Sequence, residues 1–203
     1  MSPSSDVLNA FVLLDRSGSM STRWDEALGA INAYVHELGE AAVATLATFD
    51  AVDGLKFEVI RDRTPAADWK DVKPSEASPR GYTPLLDALS RIIALAEAAG
   101  GEKTMIVVMT DGQENASREI TKESARAAVE RCKAKHWQVI FLGADFDAFA
   151  EAGGVGVGVH QTIRSRGGSY GLTMKSMARY SREYRDTGKG VAFTDEDRKE
   201  ADQ

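Results

Sequence analysis

Residues 8–20, LNAFVLLDRSGSM, decide how the rest of the chain is read. A short apolar run with polar flanks ends at Asp15, which suits a strand buried on both faces rather than one with a wet side. Ser17 and Ser19 then alternate with the aspartate in a Ser/Gly-rich loop. Three short oxygen side chains therefore leave one end of a core strand together.

The same pattern recurs along the chain. RWDEALGAINAYVHELGE sets Leu28, Ile31, Val35 and Leu38 at helical spacing, with Ser21 or Thr22 available as a cap. VATLATFD and LKFEVIRD read as two strands joined by AVDG, where Asp53-Gly54 signals a hairpin. Residues 62–82 hold Pro65, Pro74 and Pro79 and are expected to form a long loop. TPLLDALSRIIALAEAAG is a helix with Pro84 near its first turn and Gly100-Gly101 past its end. KTMIVVMTDGQEN is a second apolar run stopping at an acidic loop. REITKESARAAVERCKAKH is helical, WQVIFLGAD a third buried strand and FDAFAEAG a short helix. VGVGVHQTI is expected to be one more strand or an extended edge, and SYGLTMKSMARYSREYRDTG a final amphipathic helix.

Strands alternating with helices, three of them fully apolar, predict an α/β fold. Its expected form is a doubly wound, mostly parallel central sheet with helices on both faces and one antiparallel edge strand from the hairpin. Ligands of such sheets bind beyond the carboxyl ends of the strands, where the strand order reverses. Asp15 and Asp111 both sit at that end. The expected division is a domain over residues 1–165, followed by a C-terminal helix and acidic tail over 166–203 packed on it or extending from it.

Bulk properties fit that reading. The 203 residues are 43% hydrophobic and 28% charged, with a formal net charge of −6, which disfavours the whole domain as a nucleic-acid binder. No stretch approaches the roughly 20 apolar residues of a membrane span. The N-terminus carries neither the basic nor the apolar region of a secretory signal, and Cys132 is the only cysteine. A cytoplasmic address is the expectation. Cys132 shares a helical face with Ala125, Ala128 and Val129 and is read as core. His36, His136 and His160 share no metal-ligand spacing.

Asp15, Ser17 and Ser19 are oxygen donors suited to a hard divalent ion, but Mg²⁺ wants about six. Asp111 adds a second carboxylate, and Thr83, before the following helix, a third hydroxyl. Two carboxylates neutralise a divalent cation without saturating it, so a carboxylate from outside is a favourable further ligand. DRSGSM, then GYTPLLDAL, then MTDGQEN, in that order and in that strand–helix setting, resembles the von Willebrand factor A (VWA) family over roughly residues 8–163. The resemblance implies a Rossmann-like fold and a metal-ion-dependent adhesion site. Ser17, Ser19 and Thr83 are then hydroxyl ligands of Mg²⁺ or Mn²⁺ in preference to Ca²⁺, and Asp15 and Asp111 act directly or through waters. It further implies a protein partner that donates Asp or Glu to the metal, as in ATPase-associated or stress-response complexes. The bland alternative for Thr83 is a helix cap at Pro84.

The expected function is thus a metal-dependent protein-interaction module and not an enzyme. No nucleophile–base pair or cofactor loop is evident. A Mg²⁺-dependent phosphohydrolase of the haloacid dehalogenase type is a competing class, but its D-x-D would need an acid where Ser17 stands. A nucleic-acid or ribonucleoprotein adaptor is another, since residues 164–189 hold seven Lys/Arg against two Asp/Glu with three interleaved tyrosines. The preferred reading packs the Leu172, Met177, Tyr180 and Tyr184 side of that helix on the body. Asp87 is read as a helix N-terminal acid. Thr194 and Asp197 form a capping-box-like pattern, and the segment is expected to be a short terminal helix or disordered.

Overall fold

The computed structural model describes residues 7–143, 148–166 and 168–202. Its strands are β1 (Leu8–Asp15), β2 (Ala42–Ala51), β3 (Leu55–Pro65), β4 (Lys103–Thr110), β5 (Gln138–Gly143) and β6 (Thr162–Arg164). Its helices are α1 (Trp24–Leu38), α2 (Leu85–Ala99), α3 (Lys122–Ala134), α4 (Ala148–Gly154), α5 (Tyr170–Thr187) and α6 (Asp195–Ala201). The strands form one sheet in the order β3-β2-β1-β4-β5-β6, parallel except for the β2–β3 pair.

Every side chain of β1 is buried, as its unbroken apolar run requires. Alternate residues feed two cores. Leu8, Ala10, Val12 and Leu14 pack with α1 and α5, while Phe11 and Leu13 pack with α2 and α3. Helices therefore cover both faces of the sheet, and the expected doubly wound architecture is the observed one. Among the described residues no helix is long and apolar enough to cross a membrane.

Several local expectations need correction. Arg23, not Ser21 or Thr22, occupies the N-cap of α1. Residues Gly18–Thr22 form a 3₁₀ turn instead, closed by the Ser21 hydroxyl donating to the Gly18 carbonyl at 2.7 Å. Strand β3 runs on to Pro65 where a loop was expected. It is an edge strand, so a proline at its end forfeits no ladder bond the sheet needs. Irregular pairing around Leu46 lets the chain turn there, with Arg63 at φ 41° donating its N–H to Thr45 Oγ1. The remainder of 62–82 holds two 3₁₀ turns. Of VGVGVHQTI, only Thr162 and Ile163 are strand, after a 3₁₀ turn at Val159–Gln161. The short helix read from FDAFAEAG is described from Ala148, and residues 146 and 147 lie outside the described residues.

Helix α5 buries Tyr170, Met174, Met177, Tyr180 and Tyr184, but Leu172 is 47% exposed. The buried set repeats at three- and four-residue intervals and leaves Leu172 off the stripe. Helix α6 begins with the expected capping box, and its Asp197 accepts hydrogen bonds from Tyr180 and Thr194.

Cys132 is fully buried on the inner face of α3, and burial pushes its thiol up to about 11. The thiolate is then a trace species at neutral pH. An aromatic disulfide reagent at pH 7.5 should leave the native protein unlabelled and titrate a single thiol after denaturation; fast labelling of the native state would contradict this packing.

Candidate functional site

The strand order reverses at β1, whose neighbours are β2 and β4, so the crevice of the fold opens where β1 and β4 end. Those ends are Asp15 and Thr110. Asp15 is fully buried, and its two oxygens are held separately. Oδ1 accepts the Ser17 N–H at 2.7 Å, and Oδ2 accepts the Thr110 hydroxyl at 2.6 Å. Burial nevertheless pushes its carboxyl up to about 6, with Asp111 adding repulsion. Among the described residues no lysine or arginine makes an ion pair with it. The centre of this rim is therefore a desolvated acid partnered by neutral donors.

The other predicted residues gather around it. Ser19 Oγ donates to Asp111 Oδ1 at 2.6 Å and stands 3.1 Å from Ser17 Oγ. Thr83 is buried and reaches the same place from the far side. A Cβ built on Gly112 would stand 2.8 Å from Thr83 Oγ1 and 3.7 Å from Asp15 Oδ2, so both oxygens flank one glycine. The helix-cap alternative for Thr83 does not hold, because Pro84 takes the N-cap and no side chain caps α2. All five predicted residues, Asp15, Ser17, Ser19, Thr83 and Asp111, thus meet at one rim from three separate segments.

What holds the segments together was not read from the sequence. Asp50, at the end of β2, is fully buried between Arg16 at 3.3 Å and Arg80 at 2.6 Å. Backbone bonds reinforce this clamp: Arg80 N–H to the Arg16 carbonyl, and Gly18 N–H to the Gly81 carbonyl. Gly81 has φ 69°, and a Cβ there would lie 2.3 Å from the Ala51 carbonyl oxygen, so only glycine lets the threonine loop approach β2 this closely. On the other side, the loop after β4 fastens Thr83. Asn115 Oδ1 accepts the Thr83 N–H at 2.9 Å, and Glu114 accepts from Leu86 N–H and the Ser117 hydroxyl. Asp87, read as an ordinary helix-start acid, accepts the backbone N–H groups of Arg118, Glu119 and Ile120.

In donor type the set suits a hard divalent cation, with three hydroxyls and the Asp111 carboxylate around an acid that has no counter-charge among the described residues. Among the described residues no group of three or more His, Cys, Asp or Glu side chains is arranged to hold a metal. Any metal here would rest largely on hydroxyls.

Residues 4–150 match the profile of a family described as VWA domain containing CoxE-like protein. No curated protein sequence matches. Among solved structures, the vWF domain of a type V pili tip protein from Porphyromonas gingivalis is 11% identical with a TM-score of 0.68, over 85% of this chain and 94% of that one. Proximal thread matrix protein 1 from the mussel byssus is 18% identical with a TM-score of 0.61, over 85% of this chain and 47% of that one. The manganese-loaded TRAP protein of Plasmodium vivax is 17% identical with a TM-score of 0.51, over 68% and 57%. At these identities the likeness is one of fold. This chain spans about half the length of the mussel and Plasmodium chains.

The buried acid makes a signed prediction for the metal-free protein. Asp15 holds its proton more tightly folded, at about 6, than unfolded, at the ordinary 3.8. Its contribution is therefore least unfavourable below pH 4 and worsens as pH rises to about 6, by a total on the order of 3 kcal/mol. Asp15→Asn is uncharged throughout. It should melt above the wild type at pH 7 in a chelator and converge with it near pH 4. Parallel melting-temperature profiles for the two proteins would contradict a strained Asp15.

Proposed function

We propose that this chain, which belongs to the family of VWA domain containing CoxE-like proteins, is a metal-dependent protein-interaction module. The observation that carries the reading is the meeting of three hydroxyls and a second carboxylate around a buried acid that makes no ion pair among the described residues, at the switch point of the sheet. Ser17, Ser19, Thr83, Asp15 and Asp111 would hold one Mg²⁺ or Mn²⁺. Calcium, which takes six to eight oxygens, suits a set with only two carboxylates less well. A bound ion supplies a Lewis acid whose open position accepts a carboxylate. The manganese-loaded state of the Plasmodium protein supports the choice of ion. The chain's own residues do the rest: Thr110 and the Ser17 N–H orient Asp15, Asn115 fixes the Thr83 loop, and the Asp50 clamp sets its distance from Ser17 and Ser19.

Neither competing class draws support from the site. Ser17, where a phosphohydrolase would need a general acid, is a hydroxyl with no acidic proton to give. The arginines of α5 that would face nucleic acid are engaged: Arg179 with Asp197, Arg182 with Glu37, and Arg185 with Asp186 and the Leu38 carbonyl.

Calorimetric titration of metal-stripped protein tests the reading. Mg²⁺ and Mn²⁺ should each bind saturably at one site. Gly112→Ala alters no charge but places a methyl group against Thr83 Oγ1. It should weaken Mn²⁺ about tenfold or more, as expected when a ligand is displaced from a shaped site. Equal affinity in Gly112→Ala and wild type, or no heat even with acetate added as the outside ligand, would refute the site.

A further inference from the structure

Beside this rim runs an open groove of about 580 Å³, lined by the turn Val52–Gly54, by Gly81 and Tyr82, and by Asn115–Arg118. It is continuous with the site, because Asn115 lines it while bonding Thr83 through both its side chain and its backbone N–H. Part of its wall is apolar and exposed, with Tyr82 68% accessible and Val52 44%, and the rest is polar, formed by Asp53, Asn115, Ser117 and Arg118. Tyr82 is not there by loop disorder. Its backbone exchanges both hydrogen bonds with Ala51, at 3.0 and 3.1 Å, so the ring stands on the end of β2. An exposed aromatic held on fixed backbone is a pre-organised contact surface. Arg118, which makes no ion pair among the described residues, and Asp53 both line the groove.

We infer that this groove is the specificity subsite of the proposed metal site. It takes an apolar, preferably aromatic, side chain from the same acidic segment whose carboxylate reaches the metal. The inference rests on the metal reading. Along an extended segment, residues i and i+2 face the same way, roughly 6.5 Å apart. Tyr82 immediately precedes Thr83, so the groove wall and the rim adjoin, and an i, i+2 pair is the shortest extended spacing that presents one side chain to each. A second acid at i+4 then lies toward Arg118. The chain's net charge of −6 opposes acidic partners at long range, so complementarity must come locally, from the metal and from Arg118.

The test uses the full chain with Mn²⁺ and three labelled peptides read by fluorescence polarisation. The first is Gly-Gly-Asp-Gly-Trp-Gly-Glu-Gly-Gly, the second has Trp replaced by Gly, and the third has Asp replaced by Asn. The Trp peptide should bind roughly tenfold more tightly than its Gly version, the size of an aromatic contact at a partly open surface. Tyr82→Ser should erase that difference while leaving Mn²⁺ affinity and the Gly peptide's binding unchanged. Equal binding of the Trp and Gly peptides would overturn the subsite and leave the metal site standing. Trp-peptide binding that survives chelation or the Asp→Asn change would overturn the coupling between them. Concentration-dependent dimers abolished by Tyr82→Ser would assign the groove to a second copy of the chain and overturn the peptide reading. Failure of the Mn²⁺ titration itself would remove the metal reading and this inference together.

Discussion

An acid with no ion-pair partner among the described residues sits at the end of the central strand, and the surrounding architecture is arranged about it. Asp15 is forced inward because β1 is buried along its whole length and the chain must leave the sheet there. Neutral donors, the Thr110 hydroxyl and the Ser17 N–H and hydroxyl, only partly offset the loss of water, which is why its carboxyl stays raised to about 6. A lysine in the same place would neutralise the acid permanently and close the crevice. Hydroxyls leave the charge balance open, and an open balance is what a mobile divalent ion requires.

The second constraint is distance. Three oxygen-bearing segments far apart in sequence have to be held at a fixed spacing, and the clamp on Asp50 does this between two of them. Burying Arg16 and Asp50 is costly, and such pairs often add little net stability. Their value here is geometric, because Arg16 belongs to the serine loop and Arg80 to the threonine loop. Glu114, Asn115 and Asp87 perform the equivalent task on the β4 side, using backbone N–H groups that would otherwise lack partners.

Much of this was legible because periodicity and spacing are local signals. Unbroken apolar runs gave the central strands, the Asp53-Gly54 turn gave the antiparallel edge, and three acidic or hydroxyl-bearing loops gave the five residues at the rim. The clamp was not legible. Nothing in Arg16, Asp50 or Arg80 taken singly distinguishes a buried ionic network from surface charge, because their pairing depends on how loops fold back across the sheet. The same holds for Asp87, whose partners lie some thirty residues away. Thr110 was the nearest miss: a threonine immediately before the acid of MTDGQEN is the signal that could have marked it. Leu172 went wrong because apolar character was taken as a sign of burial, whereas α5 fills its inner stripe with Tyr170, Met174 and Met177.

Likeness to pili-tip and byssal domains establishes the fold alone, and the chemistry at the rim has to be established on this chain. Anomalous diffraction from crystals grown with Mn²⁺ tests that most directly. A single strong manganese peak is expected among Ser17 Oγ, Ser19 Oγ and Thr83 Oγ1, with Asp15 and Asp111 beside it. Manganese bound elsewhere, or a rim with no anomalous density at saturating Mn²⁺, would contradict it.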